Sequence, residues 1–132
     1  MRREHFLGQG PWPILRWPRR YIPTPSDDPV YLYQDALVGI IPERGLNNGQ
    51  PWLHAMLIAA AGPRPGEHAV HIGAGVGYYT AILAHMVGEN GRVTAIEFDN
   101  ASPSTWQRIS PGSRMCVRCK ATARRSSSIR PM

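Results

Sequence analysis

No stretch of this sequence is long and apolar enough to cross a bilayer. The most apolar segment, residues 56–61 and their neighbours, falls well short of the ~20 residues that a membrane helix needs. Met1-Arg-Arg-Glu-His5 leads into no apolar run with a small-residue cleavage site, so no secretory signal is read there and a cytoplasmic location is expected. Cysteine is scarce. The two present, Cys116 and Cys119, form a C-x-x-C pair with no second pair of Cys or His in the tail to complete a four-ligand zinc site. A redox pair of the thioredoxin kind would follow a strand and open a helix, and neither is evident there, so no metal is expected. Carboxylates, finally, are missing from everything beyond Asp99.

That last absence changes the meaning of the net charge. At +6 the chain invites a nucleic-acid reading, because clustered Lys and Arg displace counterions from phosphates. Yet residues 1–99 carry eight Lys/Arg against nine Asp/Glu, net −1, while residues 100–132 carry seven against none, net +7. The basic character belongs to the tail alone, and no nucleic-acid partner is expected of the rest. At 132 residues the chain is one domain at most.

Four segments follow from composition and pattern. Residues 1–29 form an extended arm rich in Pro and Trp, because proline fixes φ and removes a donor. It holds no strict P-x-x-P, and its expected role is to lay Trp and Tyr on a core. Residues 30–62 read as helices. Ser26-Asp27-Asp28-Pro29 opens one across 30–38; Gly49-Gln50-Pro51 opens a second that ends near Gly62. In residues 63–99, a turn at Pro63-Arg-Pro-Gly66 precedes a buried parallel strand over 68–72. A glycine loop follows, then a helix over 78–87 with Ile82, Leu83 and Met86 on one face, and a second strand over 92–97. This is a βαβ unit of an α/β fold. Residues 100–132 are the basic tail.

The glycine loop carries the chemistry. Gly73, Gly75 and Gly77 stand at a strand-to-helix junction, where a Cβ would bar close approach of a ligand to backbone N–H groups. Glu97 comes twenty residues past Gly77, at the end of the next strand, where a carboxylate can accept both hydroxyls of a ribose. A dinucleotide fold uses G-x-G-x-x-G, which would put its third glycine at Tyr78. The G-x-G-x-G spacing instead resembles the first motif of class I methyltransferases, whose cofactor has no pyrophosphate. The expected cofactor-binding residues are Gly73, Ala74, Gly75, Gly77 and Glu97, and the expected cofactor is S-adenosyl-L-methionine. Two alternatives stand beside this one: a nucleotide-cofactor (NAD-type) oxidoreductase fragment, and a non-catalytic basic nucleic-acid-binding protein that uses the tail.

The wider block, from Pro63 through Gly73-Ala-Gly-Val-Gly77-Tyr-Tyr-Thr-Ala-Ile-Leu-Ala84, resembles the protein-L-isoaspartate O-methyltransferase family, with its P-G turn, apolar strand, G-x-G-x-G-Y and A-x-L-A helix. Tyr33-Gln-Asp35-Ala-Leu37 and Asn47-Asn-Gly-Gln-Pro51-Trp-Leu-His54 sit where that family has Y-x-D-x-A-L and T-I-S-x-P-x-M-H. The resemblance spans residues 30–99. It implies the N-terminal part of a Rossmann-like methyltransferase sheet, present here as an incomplete form. It also implies methyl transfer to an acceptor oxygen, as of an isoaspartyl carboxylate on a protein or small molecule. An ionised carboxylate needs no strong base, so none of His54, His71 and His85 is assigned as one and no catalytic residue is named. His85 reads as structural; His54 is a candidate acceptor contact. Two departures stand out. His71 occupies the usual acidic position two places before the first glycine, and Gly49 replaces the serine of T-I-S-x-P.

The tail yields to codon logic. Read one base earlier, Met115-Cys116 forces valine, Cys119-Lys120 forces glutamine or a stop, and residues 120–123 permit G-D-G. The whole permits V-R-A-L-Q-G-D-G-A-T, which resembles the family's next strand and its G-D-G segment. Residues from about 100 onward therefore read as an out-of-frame, unstructured translation; the rival is a natural basic extension, disordered by composition. Such a chain supplies two strands of the sheet, leaving apolar faces uncovered and stability low.

Overall fold

The computed structural model describes residues 1–99 and the backbone of Arg114–Cys116. The tail's expected disorder, its C-x-x-C and its reading frame otherwise lie outside the described residues.

The arm is largely extended, as its prolines dictate. One helical turn, α1 (Glu4–Leu7), precedes an antiparallel hairpin of β1 (Pro13–Arg16) and β2 (Arg20–Pro23), with Ile14 opposite Ile22. Trp12 and Ile14 are buried with Leu32, Ala36 and Val38 in one core, and Leu7 and Tyr31 pack against it. Trp17 stays outside, 93% exposed. Arg3 ties the chain start to this core: its guanidinium donates to the carbonyls of Leu32 (2.6 Å) and Ala36 (3.3 Å).

The helix expected over 30–38 shrinks to a single 3-10 turn, Pro29–Leu32. The start is as anticipated, with Asp28 Oδ1 accepting from the Val30 N–H at 2.9 Å. Its continuation loses to tertiary pairing. Val38 bridges antiparallel to Ile14, and the Leu15 N–H donates to Leu37 O at 2.9 Å. Both demand extended backbone where the helix would have run. A short ladder of β3 (Gly39–Ile41) and β4 (Leu46–Asn47) follows.

Helix α2 (Pro51–Ala61) opens and closes as the sequence indicates, with Pro51 in its first turn and Gly62 left-handed at φ 56°. Its N-terminus is capped from a distance. Asp35 Oδ1 accepts from the Trp52 N–H (2.8 Å) and Oδ2 from Gln50 Nε2 (2.7 Å), setting a negative charge at the positive end of the helix. None of its residues is buried, and Trp52, Leu53, Met56 and Leu57 are all exposed.

The βαβ unit forms over the expected residues: β5 (His68–Ile72), α3 (Tyr78–Val87) and β6 (Arg92–Ile96), with the strands parallel and Ala69 opposite Val93. One sheet face packs α3. There Ala84, Val87 and Val93 form a buried cluster, and Ala74 and Ala95 form another. The buried side of α3 is Tyr79, Thr80, Ala81, Ala84 and Val87, not the expected Ile82, Leu83 and Met86, which are half-buried. Small residues let helix and sheet approach, and the larger ones flank the contact. The opposite sheet face is open. Val70 and Ile72 are 55% and 77% exposed, so β5 is parallel as expected but not buried. Alternation along a strand sends every second side chain to a face that none of the described residues covers.

A third strand corrects the expectation of two strands and an unstructured tail. β7 (Arg114–Cys116) pairs parallel to β6, giving the order β5-β6-β7. The free edge of β6 presents unpaired backbone groups, and three residues of the basic segment take them up.

Candidate functional site

The loop between β5 and α3 is built by backbone that other residues avoid. Gly73, Gly75 and Gly77 all have positive φ, at 73°, 53° and 86°, a region that costs other residues about 1–2 kcal/mol. A Cβ on Gly73 would meet nothing, and one on Gly75 only Ile40 Cδ1 at 3.5 Å. All three glycines thus serve the chain's path, and Gly73 and Gly75 leave open space in front of it. The loop is anchored from behind, where the Gly73 and Ala74 N–H groups donate to Ile96 O at 2.8 and 3.1 Å.

Glu97 locks the loop to the end of β6. Its Oε2 accepts from the Gly75 N–H at 2.6 Å and its Oε1 from the Asp99 N–H at 2.8 Å. A carboxylate offers about four acceptor positions, so two such bonds leave capacity for further donors. Of the expected site residues, Gly73, Ala74 and Gly75 line a cleft of about 170 Å3; Gly77 turns the chain into α3, and Glu97 braces the loop.

The facing wall is Asn47, Asn48, Gly49, His54 and Tyr79. His54 stacks on Tyr79, centroids 3.8 Å apart and planes 12° apart, and its Nδ1 donates to Gln50 O at 3.1 Å. The ring lies where a Cβ on Gly49 would be, and Gly49 has φ 73°. The missing serine hydroxyl and the histidine stack are therefore one feature: this His54 position requires glycine at 49. Gly49→Ser should displace the ring and destabilise the fold by roughly 1–3 kcal/mol, checked by a denaturant melt. Pattern reading singled out His54 but missed Asn48 and Tyr79, whose neighbours come from distant segments. His85 sits exposed on α3, away from this wall.

His71, at the usually acidic position, points toward α3 and hydrogen-bonds the fully buried Thr80 through Nδ1 and Oγ1 at 2.8 Å. Burial holds its pKa below the ordinary 6.5, the nearby His54 pushes the same way, and Glu97 opposes both. The folded state thus favours neutral imidazole. An unfolded chain binds the proton more readily, so this contribution to stability is present above pH 6.5 and is lost as pH falls toward the lowered value. Melts across that range should show wild type weakening with acid, and His71→Gln should flatten the slope.

A parallel βαβ unit with a glycine turn and an acidic strand end defines an adenosyl-type cofactor fold. Comparison with known proteins narrows this. The profile of the family described as protein-L-isoaspartate(D-aspartate) O-methyltransferase matches residues 19–107, and the chain belongs to that family. It is similar to the protein-L-isoaspartate O-methyltransferase of Methanopyrus kandleri, 32% identical over 85 residues, covering 64% of this chain and 36% of that one. The Methylorubrum populi protein of the same name is 43% identical over 53 residues, covering 40% and 24%. A solved protein-L-isoaspartate O-methyltransferase aligns at TM-score 0.51 and 30% identity, over 60% of this chain and 26% of that one. The chain spans about a third of the Methanopyrus protein and about a quarter of the other two. Among the described residues, no helix is long and apolar enough to cross a membrane.

Proposed function

We propose that this chain is the cofactor-binding portion of an S-adenosyl-L-methionine-dependent O-methyltransferase of the protein-L-isoaspartate type. The observation that carries the reading is the positive-φ loop of Gly73, Gly75 and Gly77, open in front at Gly73 and Gly75 and braced by Glu97 behind, in a chain of that family. Gly73, Ala74 and Gly75 would hold the amino-acid side of the cofactor, Gly77 sets the start of α3, and the spare acceptor positions of Glu97 suit ribose hydroxyls. When bound, the cofactor supplies a sulfonium methyl open to displacement by an acceptor oxygen. The cleft's contribution is position: it holds an already ionised carboxylate in line, without a general base. At about 170 Å3 the cleft is smaller than the ~300–1,000 Å3 of complete ligand sites. That size suits a partial or inactive form of the enzyme.

The acceptor is a carboxylate on this reading, as on an isoaspartyl residue. The NAD-type alternative asks for glycine at 78, where Tyr78 instead packs edge-on against Phe6 at 5.5 Å. The nucleic-acid alternative rests on the tail, and the family match favours neither. Calorimetric titration with S-adenosylhomocysteine and with NAD separates the readings. Heat with the first alone is expected; heat with NAD alone overturns the proposal.

The out-of-frame origin of the tail belongs to the same proposal. On this reading the break falls at about residue 100, and the family match, which ends at residue 107 inside the basic segment and does not reach the rest of the tail, supports it. Resequencing the gene should reveal a single-base change that restores a long downstream frame; finding none would favour a natural extension.

A further inference from the structure

The cleft wall opposite the glycine loop holds two buried polar groups that the fold leaves unsatisfied. Asn48 and Tyr79 are 7% and 6% exposed, both line the cleft, and neither Asn48 Nδ2 nor the Tyr79 hydroxyl has a hydrogen-bond partner among the described residues. An unpaired buried polar atom carries a desolvation penalty that folds seldom leave standing. Two on one wall of one cleft indicate a partner that arrives from outside. Both groups are held in place. The Tyr79 ring is clamped by its stack on His54, and the Asn48 backbone N–H donates to Val38 O at 2.8 Å. Both can donate. Burial raises the Tyr79 pKa above its ordinary 10.0, so the phenol keeps its proton. Among the described residues no Lys, Arg, Asp or Glu lines the cleft, so hydrogen bonding does the selecting on this wall, and two neutral donors there can serve the two oxygens of a carboxylate.

We propose that Asn48 and Tyr79 form a carboxylate clamp facing the glycine loop. The assignment rests on the methyltransferase reading and adds to it the residues that grip the ligand's acidic end. Asn48 stands at the isoleucine of the T-I-S-x-P pattern and Gly49 at its serine. This chain thus loses a hydroxyl at one position and gains an amide at the position before it. The carboxylate has two possible sources, the amino-acid end of the cofactor or the methyl acceptor.

The test titrates the full chain with S-adenosylhomocysteine, with 5′-methylthioadenosine, which lacks the amino-acid end, and with an isoaspartyl peptide in the presence of the latter. Wild type is compared with Asn48→Ala, Tyr79→Phe, their combination, and Asn48→Asp. Tyr79→Phe keeps the His54 stack and Asn48→Asp keeps the volume, while methylthioadenosine affinity checks that the site is folded. Each lost donor should weaken one carboxylate ligand about tenfold or more, with Asn48→Asp worse than Asn48→Ala and methylthioadenosine unchanged. A loss confined to S-adenosylhomocysteine assigns the clamp to the cofactor; a loss confined to the peptide assigns it to the acceptor. If both carboxylate ligands bind the double variant as they bind wild type, the clamp is overturned and the methyltransferase reading stands. If wild type binds no adenosyl compound, that reading fails and the clamp with it.

Discussion

Replacing Glu97 with alanine should weaken S-adenosylhomocysteine binding by about tenfold to a hundredfold or more. The figure follows from what the carboxylate does. It accepts from the N–H of Gly75 at 2.6 Å and of Asp99 at 2.8 Å, and hydrogen bonds to charged groups contribute ~1.5–3 kcal/mol each. Alanine loses the brace on the loop and, on the proposed reading, the ribose anchor together. Glu97→Gln separates the two effects. Its amide oxygen can still accept from Gly75, while its NH2 cannot accept from Asp99 or from a ribose. Calorimetry should therefore place Gln between wild type and Ala. Equal affinities for all three proteins would remove Glu97 from the site.

The second large effect concerns stability. If the downstream frame is restored, the longer chain should melt at least ~10 °C above this one. Val70, Ile72 and Phe98 are 55%, 77% and 73% exposed, and α2 buries none of its residues. Fully covering one such side chain is worth ~1.5–3 kcal/mol, and each kcal/mol moves a melting point by ~2–8 °C according to domain size. Thermal scans of the two chains at one concentration check this. Identical melting points would mean that the open sheet face and α2 are not where the missing stability lies.

The element bounds of the βαβ unit were legible in the sequence because their signals are local, while the buried face of α3 was not. An apolar run, a glycine turn, a helix stopped by Gly88 and an Asn90-Gly91 turn each act within a few residues, and the strands and helix formed over the expected residues with at most one residue of difference. The helix over 30–38 failed for the opposite reason. Its start signal at Asp28 works, but the pairing of Val38 with Ile14 across 24 residues cannot be seen in local propensity. The depth of β5 was overestimated because a run of apolar residues promises burial only when both sheet faces are covered, and among the described residues one is not.

The site divides along the same line. Glycine spacing and Glu97 could be read directly, since conformational demand fixes the first and strand position the second. The opposing wall could not. Asn48 lies in a loop and Tyr79 at the start of α3, and only the folded chain puts the two on one cleft, each with a polar atom that has no partner among the described residues. His71 shows a middle case: its position marked it as a departure, but its neutral, Thr80-bound state depends on burial that the sequence does not display. The strand at Arg114–Cys116 pairs with the edge of β6, where the sequence reading expected an unstructured tail.

The central claim is that the loop of Gly73, Ala74, Gly75 and Gly77 binds an adenosyl cofactor. Amide chemical shifts of the 15N-labelled chain measure this most directly. On addition of S-adenosylhomocysteine, the signals of Gly73, Ala74 and Gly75 should move together and saturate, with Glu97 following, while NAD leaves them in place. Signals that stay still with S-adenosylhomocysteine, or move only with NAD, would contradict the account.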